Sequence, residues 1–306
     1  MKKLTILAIL FLSAFGSLAQ PGIVAHRGFY KYEGSAENTI SALQNTIDHD
    51  LYASEFDVRF TSDGVGILYH DAAINGRPIE DARYHDLYAN PAFTLKNGET
   101  IPPLKDVLAI FKKASDEQLA SRGTTTRILW EVKMPNRKER RDETIRRTAE
   151  MLKDYPLRDL VQLISFDLEC CRQLAALLPD VPVAYLGGDV PPAQLKEHGI
   201  SGIVYHYKVI FAHPEWVKEA HQLGMTVNVW TVNDANDAVS LSDLGVDYIT
   251  TDLPLDMQHW LHKTVINPDT GEVRSEGVRL PGDSAARGIG SPQNRRQDAG
   301  HRVRQC

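Results

Sequence analysis

Short apolar runs alternate with stretches of helical periodicity along most of this chain, and this alternation constrains the fold more than any other feature. A strand buried on both faces reads as a short apolar run, whereas the helix that covers it carries apolar residues three or four positions apart. Repeated β/α units of this kind predict a parallel sheet. Eight candidate strands occur, at residues 23–25, 54–58, 128–132, 161–165, 183–186, 203–205, 226–230 and 248–250.

Eight β/α units are the number that closes a barrel, and such a barrel needs about 250 residues. Residues 23–261 provide a segment of about that length. Glycine stands ahead of three of the strands, at Gly202, Gly224 and Gly245, where helix ends and short loops favour it. We therefore predict the α/β class and a TIM (β/α)8 barrel.

The stretch between the second and third predicted barrel strands is longer than one crossover helix requires. Residues 65–69 resemble an additional strand, and Ile101-Pro102-Pro103-Leu104 opens a helix that we expect to end at about Ala114. We predict that this stretch is a small insertion lying over one end of the barrel.

The two ends of the chain differ from the middle. Residues 1–19 combine a basic start, an apolar run and small residues, as a cleaved signal peptide does. The apolar run is too short for a comfortable membrane span, so we expect no stable membrane insertion after cleavage. Residues 264–306 lack a periodic apolar face and are predicted to be a disordered tail. The predicted domain is 20–263, exported to the periplasm or secreted.

Charge and cysteine content exclude some classes of partner and of stabilisation. The net charge is −6, and no basic stripe with interleaved aromatic residues is present, so nucleic acid is not an expected partner. No protein partner is implied. Cys170 and Cys171 are adjacent and Cys306 lies in the tail, which is a poor basis for disulfides. An exported chain of this kind must be held by its core and by any metal that it binds.

Two carboxylates share one face of the second predicted strand. Glu55 and Asp57 are two positions apart, and strand side chains repeat on one face every second residue. A charged pair, Glu131 and Lys133, repeats this pattern in the third strand. Three carboxylates suit a hard, oxygen-seeking divalent cation, Mg²⁺ or Ca²⁺, which offsets their mutual repulsion.

The remaining polar residues at predicted strand ends fit phosphodiester cleavage. In a β/α barrel the site lies at the carboxyl ends of the strands, where His26, Arg27 and His70 fall. Two imidazoles can divide the work of base and acid near neutral pH. Arg27 can bind two phosphate oxygens at once, and Lys133 can act as a point charge.

Several short motifs follow one another along roughly residues 22–261. They are His26-Arg27-Gly28, Glu37-Asn38-Thr39, Glu55-Phe56-Asp57-Val58, Thr61-Ser62-Asp63-Gly64, His70-Asp71, Ile101-Pro102 with Leu104, Glu131-Val132-Lys133, Trp230-Thr231-Val232-Asn233 and Thr251-Asp252-Leu253-Pro254. These motifs, in this order, resemble those of the glycerophosphodiester phosphodiesterase family.

The resemblance implies roles for individual residues. It implies that Glu55, Asp57 and Glu131 hold one divalent cation, that His26 and His70 are the acid and base, and that Arg27 and Lys133 contact phosphate. The family releases glycerol 3-phosphate and an alcohol from a small glycerophosphodiester. A hydroxyl of the substrate's own glycerol attacks first, and water then opens the cyclic phosphate.

Two further residues have open assignments. Glu37 is expected to order Arg27 or the outer shell of the ion. Trp230 is either a large apolar residue closing the barrel end or an indole that stacks on the glycerol moiety.

The sequence departs from the family pattern near its first loop. Ala36 stands where the family usually has proline, and the loop 29–35 is longer than expected. Two alternatives stay open. One is a phospholipase or sphingomyelinase-D-like enzyme acting on acylated lipids, for which Phe29-Tyr30 and Tyr32 could supply a little apolar surface. The other is a non-catalytic protein that binds phosphate esters at the barrel mouth.

Overall fold

The structure, a computed structural model, describes residues 20–262 and the backbone of two further short segments, Val265–Ile266 and Val273–Arg274. These two segments pair as antiparallel strands within a separate unit, His262–Cys306. The predicted signal peptide, 1–19, and the rest of the predicted tail, 264–306, lie outside the described residues. Both remain predictions.

The strands and helices follow the alternation seen in the sequence. In chain order the strands are β1 Gly22–Ala25, β2 Ala53–Phe60, β3 Gly66–Leu68, β4 Ala73–Ile74, β5 Arg77–Pro78, β6 Arg127–Val132, β7 Val161–Ser165, β8 Val183–Tyr185, β9 Gly202–His206, β10 Thr226–Trp230, β11 Tyr248–Thr251, β12 Val265–Ile266 and β13 Val273–Arg274. The helices are α1 Ile40–Asp48, α2 Tyr84–Tyr88, α3 Leu104–Arg122, α4 Arg141–Lys153, α5 Leu168–Leu177, α6 Pro192–Glu197, α7 Tyr207–Ala212, α8 Glu215–Gln222, α9 Ala235–Leu244 and α10 Pro254–His262.

Eight parallel strands close a barrel. Their order is β1, β2, β6, β7, β8, β9, β10 and β11, and β1 pairs with both β2 and β11. Each of the eight strands coincides with a predicted strand to within two residues at either end. The predicted TIM barrel is therefore confirmed.

Apolar residues fill the barrel in two layers. Alternate residues of each strand point inward, where Val24, Leu129, Ala184 and Val204 form the interior. The intervening residues point outward and pack under the helices, as Trp130 does. Glu55 and Asp57 belong to the inward set of β2. The apolar interior therefore ends in acidic residues at the carboxyl end of this strand.

The predicted insertion between β2 and β6 is present and has a small core of its own. β3 runs antiparallel to the end of β2, with Val58 opposite Leu68 and Phe60 opposite Gly66. β2 extends beyond the end of β1, so β3 occupies a pairing edge that β1 leaves free. The core of the insertion consists of Ile67, Ile74, Ile79, Ala82, Leu87, Phe93 and Ile101.

The predicted end of the helix in this insertion was wrong. α3 continues past Ala114 and ends at Arg122, and the capping residue Gly123 adopts a left-handed φ of 71°. The apolar periodicity fades because the buried face of the last turns carries Ser115 and Gln118. Gln118 donates to the Ile47 carbonyl, and its side-chain oxygen accepts from the Thr126 amide. A buried polar face therefore replaced the expected apolar one.

Within the part of the chain that the structure describes, no helix has the length and apolarity required to cross a membrane.

The packing of α3 makes a prediction about stability. Phe111 is 0% exposed, whereas Leu119 on the same helix is 43% exposed. Phe111→Ala should lower the free energy of unfolding by about 3–5 kcal/mol because it leaves a cavity in the core. Leu119→Ala is the matched control and should change it by less than about 0.5 kcal/mol. Urea unfolding measures both, and similar losses would show that α3 does not pack as described.

Candidate active site

Three carboxylates from two neighbouring strands converge at the carboxyl end of the barrel. Glu55 and Asp57 come from β2 and Glu131 from β6, where Asp57 and Glu131 are register partners. One oxygen of each lies within 4.8 Å of the others. The three residues are only 4%, 1% and 7% exposed, respectively. The structure thus brings together the three residues that the sequence predicted as metal ligands.

Burial makes this cluster electrostatically costly. Desolvation, followed by the charges of Asp57 and Glu131, raises the pKa of Glu55 well above its ordinary value. Desolvation and the Asp57 charge also raise the pKa of Glu131 to about 7, although Lys133 opposes this rise. Burial acts in the same direction on Asp57, but Lys133, Asn38, His70 and Arg27 together lower its pKa.

Two cations border the acidic cluster. The Lys133 ammonium lies 3.0 Å from Asp57 Oδ1 and 2.8 Å from Glu131 Oε1. Arg27 Nε lies 3.6 Å from Asp57 Oδ2, and Arg27 Nη1 donates to Glu37 Oε2 at 2.6 Å. Of the two roles expected for Glu37, the structure therefore places it against Arg27. Glu37 adds a fourth carboxylate against the two cations, so the cluster is negative once all four carboxylates are ionised, as they are when a divalent cation binds.

The loop between β1 and α1 holds Asp57 from the side. Asn38 Nδ2 donates to Asp57 Oδ2 at 2.8 Å, and the Asp57 amide donates to Asn38 Oδ1 at 3.0 Å. Arg27 and Asn38 have φ values of 55° and 59°, and the Asn38 amide donates to the Arg27 carbonyl. Left-handed backbone at non-glycine residues is often found at functional sites. The Arg27 amide completes the loop by donating to Glu55 Oε2 at 2.7 Å.

Each predicted catalytic histidine bonds a carboxylate through Nδ1. His26 Nδ1 lies 2.7 Å from Asp252 Oδ1, and Asn233 donates to the other oxygen of Asp252 at 2.8 Å. Burial tends to raise the pKa of Asp252, but its bonds with His26 and Asn233 prevail and lower it to about 2. His70 Nδ1 lies 2.7 Å from Asp71 Oδ1. In both histidines the bond at Nδ1 leaves Nε2 available for a reacting proton.

Six of these residues line one pocket of about 290 Å³. Its polar side is lined by His26, Arg27, Glu55, His70, Glu131 and Lys133. The rest of its lining is mainly apolar and comprises Ile164, Phe166, Leu186, Val204 and Trp230, with Thr231 and Thr250. The Trp230 indole donates to the Val204 carbonyl at 2.8 Å and meets the Phe166 ring edge-on at 5.5 Å. Trp230 is therefore part of the pocket wall.

Sequence reasoning assigned no role to Asn38, Asp252, Phe166 or Leu186. Asn38 and Asp252 stand inside the motifs that carry the family resemblance, so a signal for them was present. Phe166 and Leu186 directly follow β7 and β8. Because residues that follow barrel strands line the site, this position could have indicated a place in the pocket for both.

Comparisons with known proteins find relatives over most of the described chain. The profile of the glycerophosphoryl diester phosphodiesterase family matches residues 26–256. A crystal structure of a glycerophosphodiester phosphodiesterase from Parabacteroides distasonis is 40% identical, with a TM-score of 0.73, and the match covers 79% of this chain and 97% of that one. A glycerophosphodiester phosphodiesterase from Bacillus altitudinis is 26% identical over 76% of this chain and 94% of its own length.

A third comparison concerns the fold. A phosphodiesterase from Oleispira antarctica, solved in complex with its product sn-glycerol-3-phosphate, is 22% identical, with a TM-score of 0.64. The match covers 79% of this chain and 97% of that one.

The bond between Asn38 and Asp57 can be tested separately from the strained backbone. Asn38→Gly removes the side-chain amide but tolerates the left-handed φ. It should lower the free energy of unfolding by about 1–3 kcal/mol because the buried Asp57 carboxylate loses a donor. Asn236→Gly makes the same substitution at an exposed residue in the first turn of α9 and is a comparison variant. An Asn38→Gly variant as stable as the wild type in urea would contradict this role.

Proposed function

We propose that this chain, which belongs to the glycerophosphoryl diester phosphodiesterase family, hydrolyses glycerophosphodiesters to glycerol 3-phosphate and an alcohol with the aid of a divalent cation. The observation that carries the proposal is the convergence of Glu55, Asp57 and Glu131 beside a pocket that two of these carboxylates, Glu55 and Glu131, line together with two imidazoles. The chain is a phosphoric diester hydrolase, so the alternative of a non-catalytic binding protein does not hold. The product complex of the Oleispira antarctica enzyme supports the class of substrate.

The donor set fits one hard cation, Mg²⁺ or Ca²⁺. Glu55, Asp57 and Glu131 offer only oxygen atoms, and their burial leaves repulsion that a bound cation would relieve. When bound, such a cation neutralises the negative charge that develops on the phosphoryl group in the transition state.

Arg27 and Lys133 border the same pocket and suit the phosphate group. The backbone of Arg27 is held by Glu55 and its guanidinium by Glu37, so this cation is preorganised. Lys133 is fixed between Asp57 and Glu131. We infer that both bind phosphate oxygens and orient the phosphorus for attack.

The two histidines divide the proton transfers. One imidazole takes the proton of the attacking glycerol hydroxyl as the new oxygen–phosphorus bond forms. The other gives a proton to the alcohol oxygen as its bond to phosphorus breaks. Water then opens the cyclic phosphate. His26 and His70 line the same pocket and each has Nε2 available, as this division of work requires.

We further propose that the protein is exported to the periplasm or secreted. The basic start, apolar run and small residues of 1–19 support export.

The apolar side of the pocket favours a second candidate, an enzyme of phospholipase or sphingomyelinase-D type acting on acylated lipids. Phe166 is 48% exposed beside Trp230 and offers an apolar surface next to the polar site. Comparing turnover of a lysophospholipid with that of its deacylated counterpart separates the two candidates. Faster turnover of the acylated substrate would favour the second.

Cation dependence is the first test. Glu55→Gln preserves the shape of the side chain but removes its charge, and it should lower kcat/KM by at least about 100-fold, the scale of one lost electrostatic contact. EDTA should abolish turnover, and added Mg²⁺ or Ca²⁺ should restore it. Glu117→Gln, an exposed position on α3, is the matched control and should behave as the wild type. Full activity in EDTA would refute the proposal.

Cation binding should also depend on pH. The raised pKa of Glu131 means that, without added cation, the folded state holds this proton more tightly than the unfolded chain. Protonated Glu131 therefore stabilises the folded state, and this contribution to the free energy of unfolding is lost as the pH rises from 4.5, the ordinary pKa, to about 7, the raised pKa. A cation competes with that proton, so the rise in Tm on adding Mg²⁺ or Ca²⁺ should be larger at about pH 8 than at about pH 5.5. An equal rise at both values would contradict the competition.

Histidine variants test the proton transfers. His26→Ala and His70→Ala should each lower kcat by about 10²–10⁴-fold, the usual contribution of a general acid or base. His85→Ala removes an exposed imidazole on α2 and is the matched control. A rate close to that of the wild type in either variant would remove that histidine from the mechanism.

A further inference from the structure

The row of inward-facing residues on β2 continues past the two carboxylates to Arg59. Because strand side chains repeat every second residue, Arg59 follows Glu55 and Asp57 on the same face. Its side chain is partly buried, and the roles described so far do not account for it.

The guanidinium of Arg59 makes both of its side-chain hydrogen bonds to one backbone oxygen. Arg59 Nε donates to the His70 carbonyl at 3.0 Å, and Arg59 Nη2 donates to the same oxygen at 2.8 Å. Among residues 20–262 no carboxylate oxygen lies within 4.0 Å of this guanidinium. The contact with His70 fixes the position of one carbonyl.

That carbonyl lies where strand pairing stops. Leu68 is the last residue of β3 and pairs with Val58, and the next residue, Tyr69, donates its amide to the Asp57 carbonyl at 3.0 Å. His70 comes next, beyond the last bond between the two strands. The two hydrogen bonds from the Arg59 guanidinium therefore hold the backbone at His70, the first residue beyond the pairing of β2 with β3.

The His70 side chain has little other support. Its imidazole is 41% exposed, and its partner Asp71 is 71% exposed. Ion pairs between groups this exposed contribute little to order. His26 differs, because its partner Asp252 is 17% exposed and is itself held by Asn233. The two histidines are thus held in different ways, one through its side chain and the other through its backbone.

We infer that Arg59 is a positioning residue that sets the place of the His70 imidazole by holding the His70 carbonyl. It links the strand that carries Glu55 and Asp57 to the group that moves a proton. The inference rests on the proposed function, because it needs His70 to take part in the reaction.

The test is a double-mutant cycle on the full-length protein, assayed with a glycerophosphodiester and saturating Mg²⁺ or Ca²⁺. Arg59→Ala should lower kcat by about 100-fold, the cost of misplacing a reacting group by about 1 Å, with little change in KM. The same substitution in the His70→Ala background should change kcat less than about three-fold, because the group that it positions is gone. Arg59→Lys keeps the positive charge but cannot make the paired guanidinium hydrogen bonds, so its kcat should lie between those of Arg59→Ala and the wild type.

Controls separate this role from folding and from cation binding. Arg83→Ala removes an exposed arginine from the insertion and should keep the wild-type kcat. Removing a cation beside an acidic cluster cannot weaken cation binding, so the Tm rise with Mg²⁺ or Ca²⁺ in Arg59→Ala should be at least that of the wild type. Arg59→Lys repeats the measurement with the charge retained if Arg59→Ala proves unstable.

Three results would overturn the inference. If Arg59→Ala lowers kcat equally with and without His70, Arg59 acts independently of this histidine. If it raises KM and leaves kcat unchanged, Arg59 binds substrate instead. In both cases the proposed function stands if His70→Ala is impaired. If His70→Ala itself keeps full activity, the role of His70 in the proposed function fails and the inference fails with it.

Discussion

The repulsion among three buried carboxylates is the constraint on which the rest of this site depends. Glu55, Asp57 and Glu131 are each less than a tenth exposed, and burial penalises their charged forms. Stability alone would favour apolar residues at these positions. The surrounding structure offsets the cost with Lys133 on one side and the Arg27 loop on the other. The cluster is therefore built to receive positive charge, from a cation and from groups that also bind phosphate.

Much of the barrel and the acidic cluster could be predicted because both follow from simple periodicities. The eight strands are short apolar runs, and their boundaries are visible in the sequence. The spacing of Glu55 and Asp57 places both on one face of a strand, and barrel topology carries that face to the site. Glu131 was predicted in the same way, and the structure makes it the register partner of Asp57.

The remaining features could not be predicted because they depend on loop conformation and on long-range contacts. No periodicity indicates that Arg27 and Asn38 adopt left-handed backbone, and the bond from Asn38 to Asp57 depends on that conformation. The contact of His26 with Asp252 joins the first and last strands of the barrel, 226 positions apart. Helix α3 was predicted too short for a related reason. Its buried polar residues find partners only in the folded chain.

The antiparallel pairing of β3 with β2 has a consequence for how substrate reaches the site. A lid must swing away from the pocket, but three residue pairs join β3 to the strand that carries Glu55 and Asp57. Opening the insertion as a hinged flap would break those pairs and detach it from the barrel wall. The part of the insertion that pairs with β2 therefore belongs to the barrel wall, and a movement that opened the site while keeping the barrel intact would have to preserve this pairing.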